Sequence, residues 1–162
     1  MAVIRTVQGR DAQAIARLYN YYVQNTTVTF EEEPVSDREM ARRIDEITAQ
    51  FPWLVYELDG RILGFAYAGK WKGRSAYRYT VESTVYVDRE SCGQGIGRAL
   101  YLRLLEALRE QGLHLVIAGI ALPNPASQAL HEHFGFRKVG EFTDVGYKFG
   151  SWLNVGYWEL RL

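Results

Sequence analysis

Tyr79–Gly97 reads YTVESTVYVDRESCGQGIG, and GRALYLRLLEALRE (Gly97–Glu110) follows without a break. β-Branched and aromatic residues dominate up to Val87, the composition of a strand. Gly93, Gly95 and Gly97 then alternate through a turn, after which leucines recur at helical spacing. N–H groups at a turn that runs into a helix N-terminus lack intrahelical partners and point outward. A strand, a glycine turn and a helix in this order therefore lead us to expect an anion site. Within the strand, Val81, Val85 and Val87 share one face, and Glu82, Thr84 and Tyr86 share the other. A carboxylate in mid-sheet is costly to bury without partners. Glu82 is thus either a residue on a solvated face or a base held in a cleft, where it takes a proton directly or through a water.

The glycine turn is neither of two better-known phosphate motifs. A dinucleotide fingerprint opens an early βαβ unit and leads to an acidic residue at the end of the next strand. A P-loop would place Lys and then Ser or Thr after the glycines, and Gly97 is followed by Arg98 and Ala99. A simple tight turn is the other reading. Three alternating glycines between strand and helix favour close approach of a pyrophosphate to the backbone.

Working outward, 162 residues are most economically one domain, taken as residues 1–162. Hydrophobic residues make up 48% of the chain and charged residues 23%, ordinary values for a globular protein. A formal net charge of zero argues against a nucleic-acid binder that works by neutralising phosphates. No apolar run approaches the roughly 18 residues that span a bilayer, and no signal-peptide pattern opens the chain. The one cysteine, Cys92, excludes an internal disulfide framework and a cysteine-based metal cluster. A cytoplasmic enzyme is the expected setting. His131 and His133 are not at i,i+4, so no metal site is expected.

The chain divides into a coarse β-α-α-β-β-β-α-β-α-β-β order. Ala2–Val7 reads as an edge-like strand. Arg10–Tyr22 reads as a helix with Ile15, Leu18, Tyr19 and Tyr22 on one face. NTTVTFEEEP is an extended loop whose one large apolar residue is Phe30. Ser36 with Glu39 is a capping-box signature opening a helix with Met40, Ile44 and Ile47 on its apolar face. Asp59–Gly60 marks a hairpin between Leu54–Leu58 and Ile62–Ala68. The basic segment KWKGRSAYRYT is either a solvated loop or a clamp for an acidic group, a task suited to arginine. LHLVIAGIAL reads as a buried central strand, and Pro125 and Gly135 bracket a short helix. The tail after Phe136 reads as two strands joined by a structured Gly- and aromatic-rich loop. The fold class is α/β, a mixed, mostly antiparallel sheet of about seven strands flanked by about four helices.

Several runs together carry a resemblance: CGQGIG after the strand, Asn124-Pro125-Ala126-Ser127, TVESTVYV, WKGRSAY, LHEHFGF and GYKFGSWLNVGYWEL. With these, spread from roughly Arg5 to Leu160, the sequence resembles the GCN5-related N-acetyltransferase (GNAT) superfamily and, within it, the phosphinothricin and methionine sulfoximine acetyltransferases. The resemblance implies the GNAT fold, acetyl-CoA as co-substrate, no metal, and a role in antibiotic or herbicide resistance. It implies that the backbone along Val85, Tyr86 and Val87 pairs with the pantetheine arm. The turn Gly93, Gln94, Gly95, Ile96, Gly97 and Arg98 would hold the pyrophosphate, and Asn124 and Ser127 would contact the cofactor arm. Glu82 matches the general base. Phe30, Lys72, Arg74 and Tyr77, together with Glu82, match residues around an acidic amino-acid substrate. Two positions depart from the superfamily pattern: Cys92 stands where Arg or Gln is common, and His131 replaces the frequent tyrosine acid. His131 as the second catalytic residue leaves three roles open, protonating the leaving sulfur, orienting Glu82 or touching substrate.

The expected reaction is direct attack by an amino acid's α-amine on the thioester in a ternary complex. A different small amine or a protein N-terminus is the alternative acceptor, and Trp71, Tyr77 and Phe30 lead us to expect a closed small-molecule pocket instead. A non-catalytic acyl-CoA-binding domain is the alternative of another class. The aromatic tail (Tyr147, Phe149, Trp152, Tyr157, Trp158) leads to the expectation of a homodimer, with core packing as the other use of those rings.

Overall fold

The computed structural model describes residues Met1–Leu162 as seven strands and four helices, in the order read from the sequence. The strands are β1 (Ala2–Thr6), β2 (Trp53–Leu58), β3 (Arg61–Lys70), β4 (Thr80–Val87), β5 (Leu115–Ala121), β6 (Arg137–Lys148) and β7 (Ser151–Arg161). The helices are α1 (Ala12–Asn25), α2 (Asp37–Thr48), α3 (Ile96–Glu110) and α4 (Pro125–His133). One sheet runs β1-β2-β3-β4-β5-β7-β6, antiparallel throughout except for β4 beside β5.

Each face of the sheet buries its own core. On one side α3 packs Leu100, Tyr101, Leu104, Leu105 and Leu108 against Ala66, Ala68, Val81, Val116 and Trp158. Each buried leucine of α3 contributes about 1.5–3 kcal/mol of hydrophobic stabilisation before entropy is counted. On the other side α1 and α2 pack Ile15, Val23, Met40 and Ile44 against Trp53, Val55 and Phe65. Gly64 on β3 lets α3 sit close, since a Cβ there would lie 3.0 Å from both Ile96 Cγ2 and Leu100 Cδ1.

Local signals placed most elements. Ser36 Oγ accepts the Glu39 N–H at 3.0 Å, starting α2 at Asp37. Asp59 and Gly60 both have positive φ, as a two-residue hairpin turn requires. The tail differs from expectation. Its Gly- and aromatic-rich middle is strand, not loop, and β6 and β7 are joined only by Phe149 and Gly150, at φ 52° and 74°. The reason is a bulge at Asp144 (φ 54°), which interrupts the alternation of β6 between Phe142 and Gly146 and hides its period. Helix α1 ends three residues later than expected, and Val23 is fully buried beside Tyr22, which packs half-buried against the same core.

Candidate active site

Strands β4 and β5 pair only over Thr80–Glu82 and Leu115–Ile117, although β4 runs on to Val87 and β5 to Ala121. Beyond Glu82 the two strands part. The Asp88 N–H donates to the Leu63 carbonyl at 2.8 Å. Alternate residues of an antiparallel pair direct both backbone groups to the same side, so Ser83, Val85 and Val87 turn theirs away from β3 and into the gap. By the same rule the Leu122 N–H, which donates to Asn154 O at 2.9 Å, leaves Gly119 and Ala121 facing the gap from the other side. Two open backbone edges thus line a cleft of about 710 Å³, within the range of small-molecule sites. A separate polar groove of about 920 Å³, lined by Arg5, Arg10, Arg17 and Arg61, reaches Asp88–Glu90 ahead of the glycine turn but is lined by neither Glu82 nor the glycines of that turn.

The glycine turn closes the wide end of this cleft. Gly93 and Gly95 have φ 78° and 80°, a conformation only glycine adopts at little cost. A Cβ at either would meet nothing within 4 Å, so the space above the turn is open. Gly97 is different: it lies inside the first turn of α3, 3.6 Å from Leu130 and Val87 at its Cβ position. The first intrahelical bond runs from Ala99 N to Gly95 O at 3.0 Å, leaving the N–H groups of Ile96, Gly97 and Arg98 unclaimed by the helix. These features fit a phosphate-bearing ligand, and the backbone edges fit an amide-bearing arm. Asn124 and Ser127 line the same cleft, but both also serve α4, Asn124 Oδ1 accepting the Ser127 N–H at 3.2 Å. Cys92 is exposed, its Sγ 3.5 Å from Asp88 O and 3.8 Å from the Tyr22 hydroxyl. Tyr22, on the apolar face of α1 as expected, is half-buried against the core and donates its hydroxyl to Val87 O at the cleft's rim.

Glu82 stands at the apex where the strands part, on the sheet face opposite α3. Its side chain is half-buried, and burial pushes its carboxyl pKa up while the Lys72 ammonium pulls it back. A Cβ at Gly119 would lie 3.1 Å from Tyr157 Cε1 and 3.5 Å from Glu82 Oε2, so ring and carboxylate converge over this glycine. Burial and the Glu82 charge push the Tyr157 phenol up. Trp71 meets Tyr157 edge-on at 5.8 Å, and Lys72 Nζ lies 4.9 Å from the Trp71 ring centre. The structure therefore brings Glu82, Lys72, Trp71 and Tyr157 together. It leaves Arg74 exposed before the short turn Ser75–Tyr77, while Tyr77 and Phe30 remain 40% and 38% exposed. The closed pocket expected from Trp71, Tyr77 and Phe30 is not formed by one chain, because Phe30 rests on Gly146 of β6 and Trp71 on Tyr157 of β7, while Tyr77 stays exposed.

His131 lies on the α3 side and does not touch Glu82. It is 4% exposed; its Nδ1–H donates to Ser127 O at 2.7 Å and its Nε2 accepts the Tyr101 hydroxyl at 2.7 Å. Because a carbonyl only accepts, the proton is assigned to Nδ1. The Tyr101 oxygen in turn accepts from Ser83. Burial lowers the His131 pKa, opposed by the Ser127 bond, and raises that of Tyr101. Orienting Glu82 is thereby removed from the roles open to His131. Sequence reading missed Tyr22, Ser83, Tyr101 and Tyr157. Only Gly119, a glycine within a strand, carried a signal of close approach.

An acetyltransferase (GNAT) domain family matches residues 4–155. A phosphinothricin N-acetyltransferase of Streptomyces viridochromogenes is 41% identical over 156 residues, 96% of this chain and 85% of the relative. An L-methionine sulfoximine/L-methionine sulfone acetyltransferase of Salmonella typhimurium is 36% identical over 160 residues, 98% of this chain and 94% of the relative. A crystal structure of a phosphinothricin acetyltransferase from Sinorhizobium meliloti, in complex with acetyl-CoA, superposes with a TM-score of 0.96 at 36% identity, covering 99% of this chain and 88% of that one.

Proposed function

We propose, on the premise that this chain belongs to the GNAT superfamily of acetyltransferases and is closely related to the phosphinothricin and methionine sulfoximine acetyltransferases, that it acetylates the α-amine of a small glutamate-like amino acid. The observation that carries this reading is the place of Glu82, at the apex of the β4–β5 cleft with its pKa raised by burial. Acetyl-CoA, when bound, supplies a thioester carbonyl as electrophile. The backbone of Val85 and Val87, the N–H groups along Gly93–Arg98, and Asn124 and Ser127 are the groups that would hold it; the Tyr86 backbone, expected to share this role, is turned to β3 instead. Glu82 takes the proton of the attacking amine, directly or through a water, and its raised pKa makes it a stronger base than an ordinary carboxylate. Lys72 and Arg74 receive the substrate's acidic group, and Trp71, Tyr157 and Phe30 form its apolar walls. On the cofactor side the Ser83–Tyr101–His131 chain runs its hydroxyl protons toward His131 Nε2 and holds Ser83 in place, and the departing thiolate takes its proton from water. The protein acts as a homodimer.

Thiol release from acetyl-CoA with a panel of free amino acids and short peptides tests this reading. Consumption of glutamate-like amino acids, with peptides inert, is expected. The open acceptor side gives a second reading some support: preference for peptides or for another small amine would select it. Absence of thiol release with every amine would leave only acyl-CoA binding.

A further inference from the structure

The segment joining α1 to α2, which carries the Phe30 wall proposed above, has no regular structure of its own. Side chains hold it. Thr29 is buried, its Oγ1 2.7 Å from the Tyr19 hydroxyl, and Glu31 pairs with Arg43 through bonds of 2.9 and 2.6 Å. Those ties run to α1 and α2. One more comes from the far end of the chain. Lys148, the last residue of β6, is only 2% exposed, and its Nζ donates to the Thr29 carbonyl at 2.8 Å. Two residues earlier, Gly146 receives the Phe30 ring: a Cβ there would lie 2.2 Å from Cε2 and 2.5 Å from Cζ. The ring thus rests on bare backbone while the preceding carbonyl is held by an ammonium.

A buried lysine is costly unless paired. Lys148 has no carboxylate within ion-pair distance, and Glu32 and Glu31 act on it only from farther off. Filling space would be served better by Met or Leu, so the charge answers a need for a strong donor at this carbonyl. We propose that Lys148 is a positioning residue for the acceptor pocket. With Gly146 it fixes Thr29–Phe30 against β6, and so sets the wall on which the substrate side chain rests. This inference depends on the acceptor reading above for its kinetic consequence, and on geometry alone for the clamp.

Lys148→Met keeps the length and removes the charge. The amino-acid KM is expected to rise about tenfold, with kcat and the acetyl-CoA KM near their original values. In a Phe30→Ala background the same change is expected to add little, because the wall it positions is gone. Gly146→Ala is expected to raise the amino-acid KM as well, and Phe30→Ala to relieve that effect. A full Lys148→Met effect in the Phe30→Ala background would mean that the ammonium binds substrate itself, and would overturn the positioning role. Equal loss in both KM values with a lowered Tm would overturn it in favour of plain stability. Hydrogen exchange on the ligand-free protein provides a readout apart from activity: amides around Val28–Glu32 should exchange faster in Lys148→Met while those of α3 stay unchanged. Unchanged loop exchange would sink the clamp. If no amino acid is acetylated yet the loop responds, the acceptor reading fails and the clamp stands.

Discussion

At Glu82, the burial that suits a base also works against folding. Its pKa is raised in the folded protein, so the folded state holds this proton more tightly than the unfolded chain does. Stability therefore falls as pH rises from the ordinary carboxylate value of about 4.3 through the raised one, and stays lower above it. Glu82→Gln is neutral at every pH. It is expected to melt no lower than the parent protein at neutral pH while losing at least about tenfold in turnover. Acetyl-CoA affinity should be nearly intact, since Glu82 lies at the closed end of the cleft. Melting curves, steady-state rates and a cofactor titration check all three, and unchanged turnover would remove Glu82 as the base. Gly119 tests the same corner. Gly119→Ala would press on Tyr157 at 3.1 Å and on the Glu82 carboxylate at 3.5 Å. The expected result is a higher amino-acid KM with acetyl-CoA binding retained, measured by the same assays.

Among the elements, those defined by nearest neighbours were legible in the sequence. The α2 cap needs only Ser36 and Glu39, and Ser36→Ala is expected to cost about 1 kcal/mol in denaturant unfolding without altering turnover. The Asp59–Gly60 hairpin and the strand–glycine turn–helix unit are equally local, and so the fold and the open end of the cleft could be read directly. The candidate site could be read less fully. Glu82 stood out because a carboxylate broke a strand, but its neighbour Tyr157 is 75 positions away in the chain and reaches it only because β7 returns beside β5. His131 stood out as a departure from a pattern, whereas its partners Tyr101 and Ser83 come from α3 and β4 and had no local signature. That chain has a measurable consequence. His131 has a lowered pKa when folded, so its contribution is present above the ordinary histidine value of about 6.5 and is lost as pH falls from there toward the folded value. The protein should lose Tm on mild acidification through this window, and His131→Gln should show a flatter dependence.

For the whole molecule, the outer end of the sheet is left with a surface that one chain does not cover. Phe142, Val145, Tyr147, Phe149 and Trp152 are each more than half exposed, all on β6, β7 or the turn between them. Tyr147 and Trp152 lie 4.8 Å apart between ring centres, forming part of an aromatic ridge on the edge hairpin. Contiguous apolar surface of this kind is uncommon on monomers and marks an interaction site, and an uncovered edge strand such as β6 is a liability that pairing removes. The same hairpin carries Lys148 and Gly146, so covering it would also brace the Phe30 loop and narrow the open acceptor side. A second copy of the chain is the occupant in the homodimer proposed above. Light scattering should give twice the chain's 18.6 kDa. Trp152→Glu places a charge in the ridge and should shift the mass to that of one chain. The cofactor cleft lies on the other side of β5 from this hairpin, so acetyl-CoA binding should survive the change. A monomer mass for the unaltered protein at working concentration would end the dimer proposal, and the exposed ridge would then need another partner.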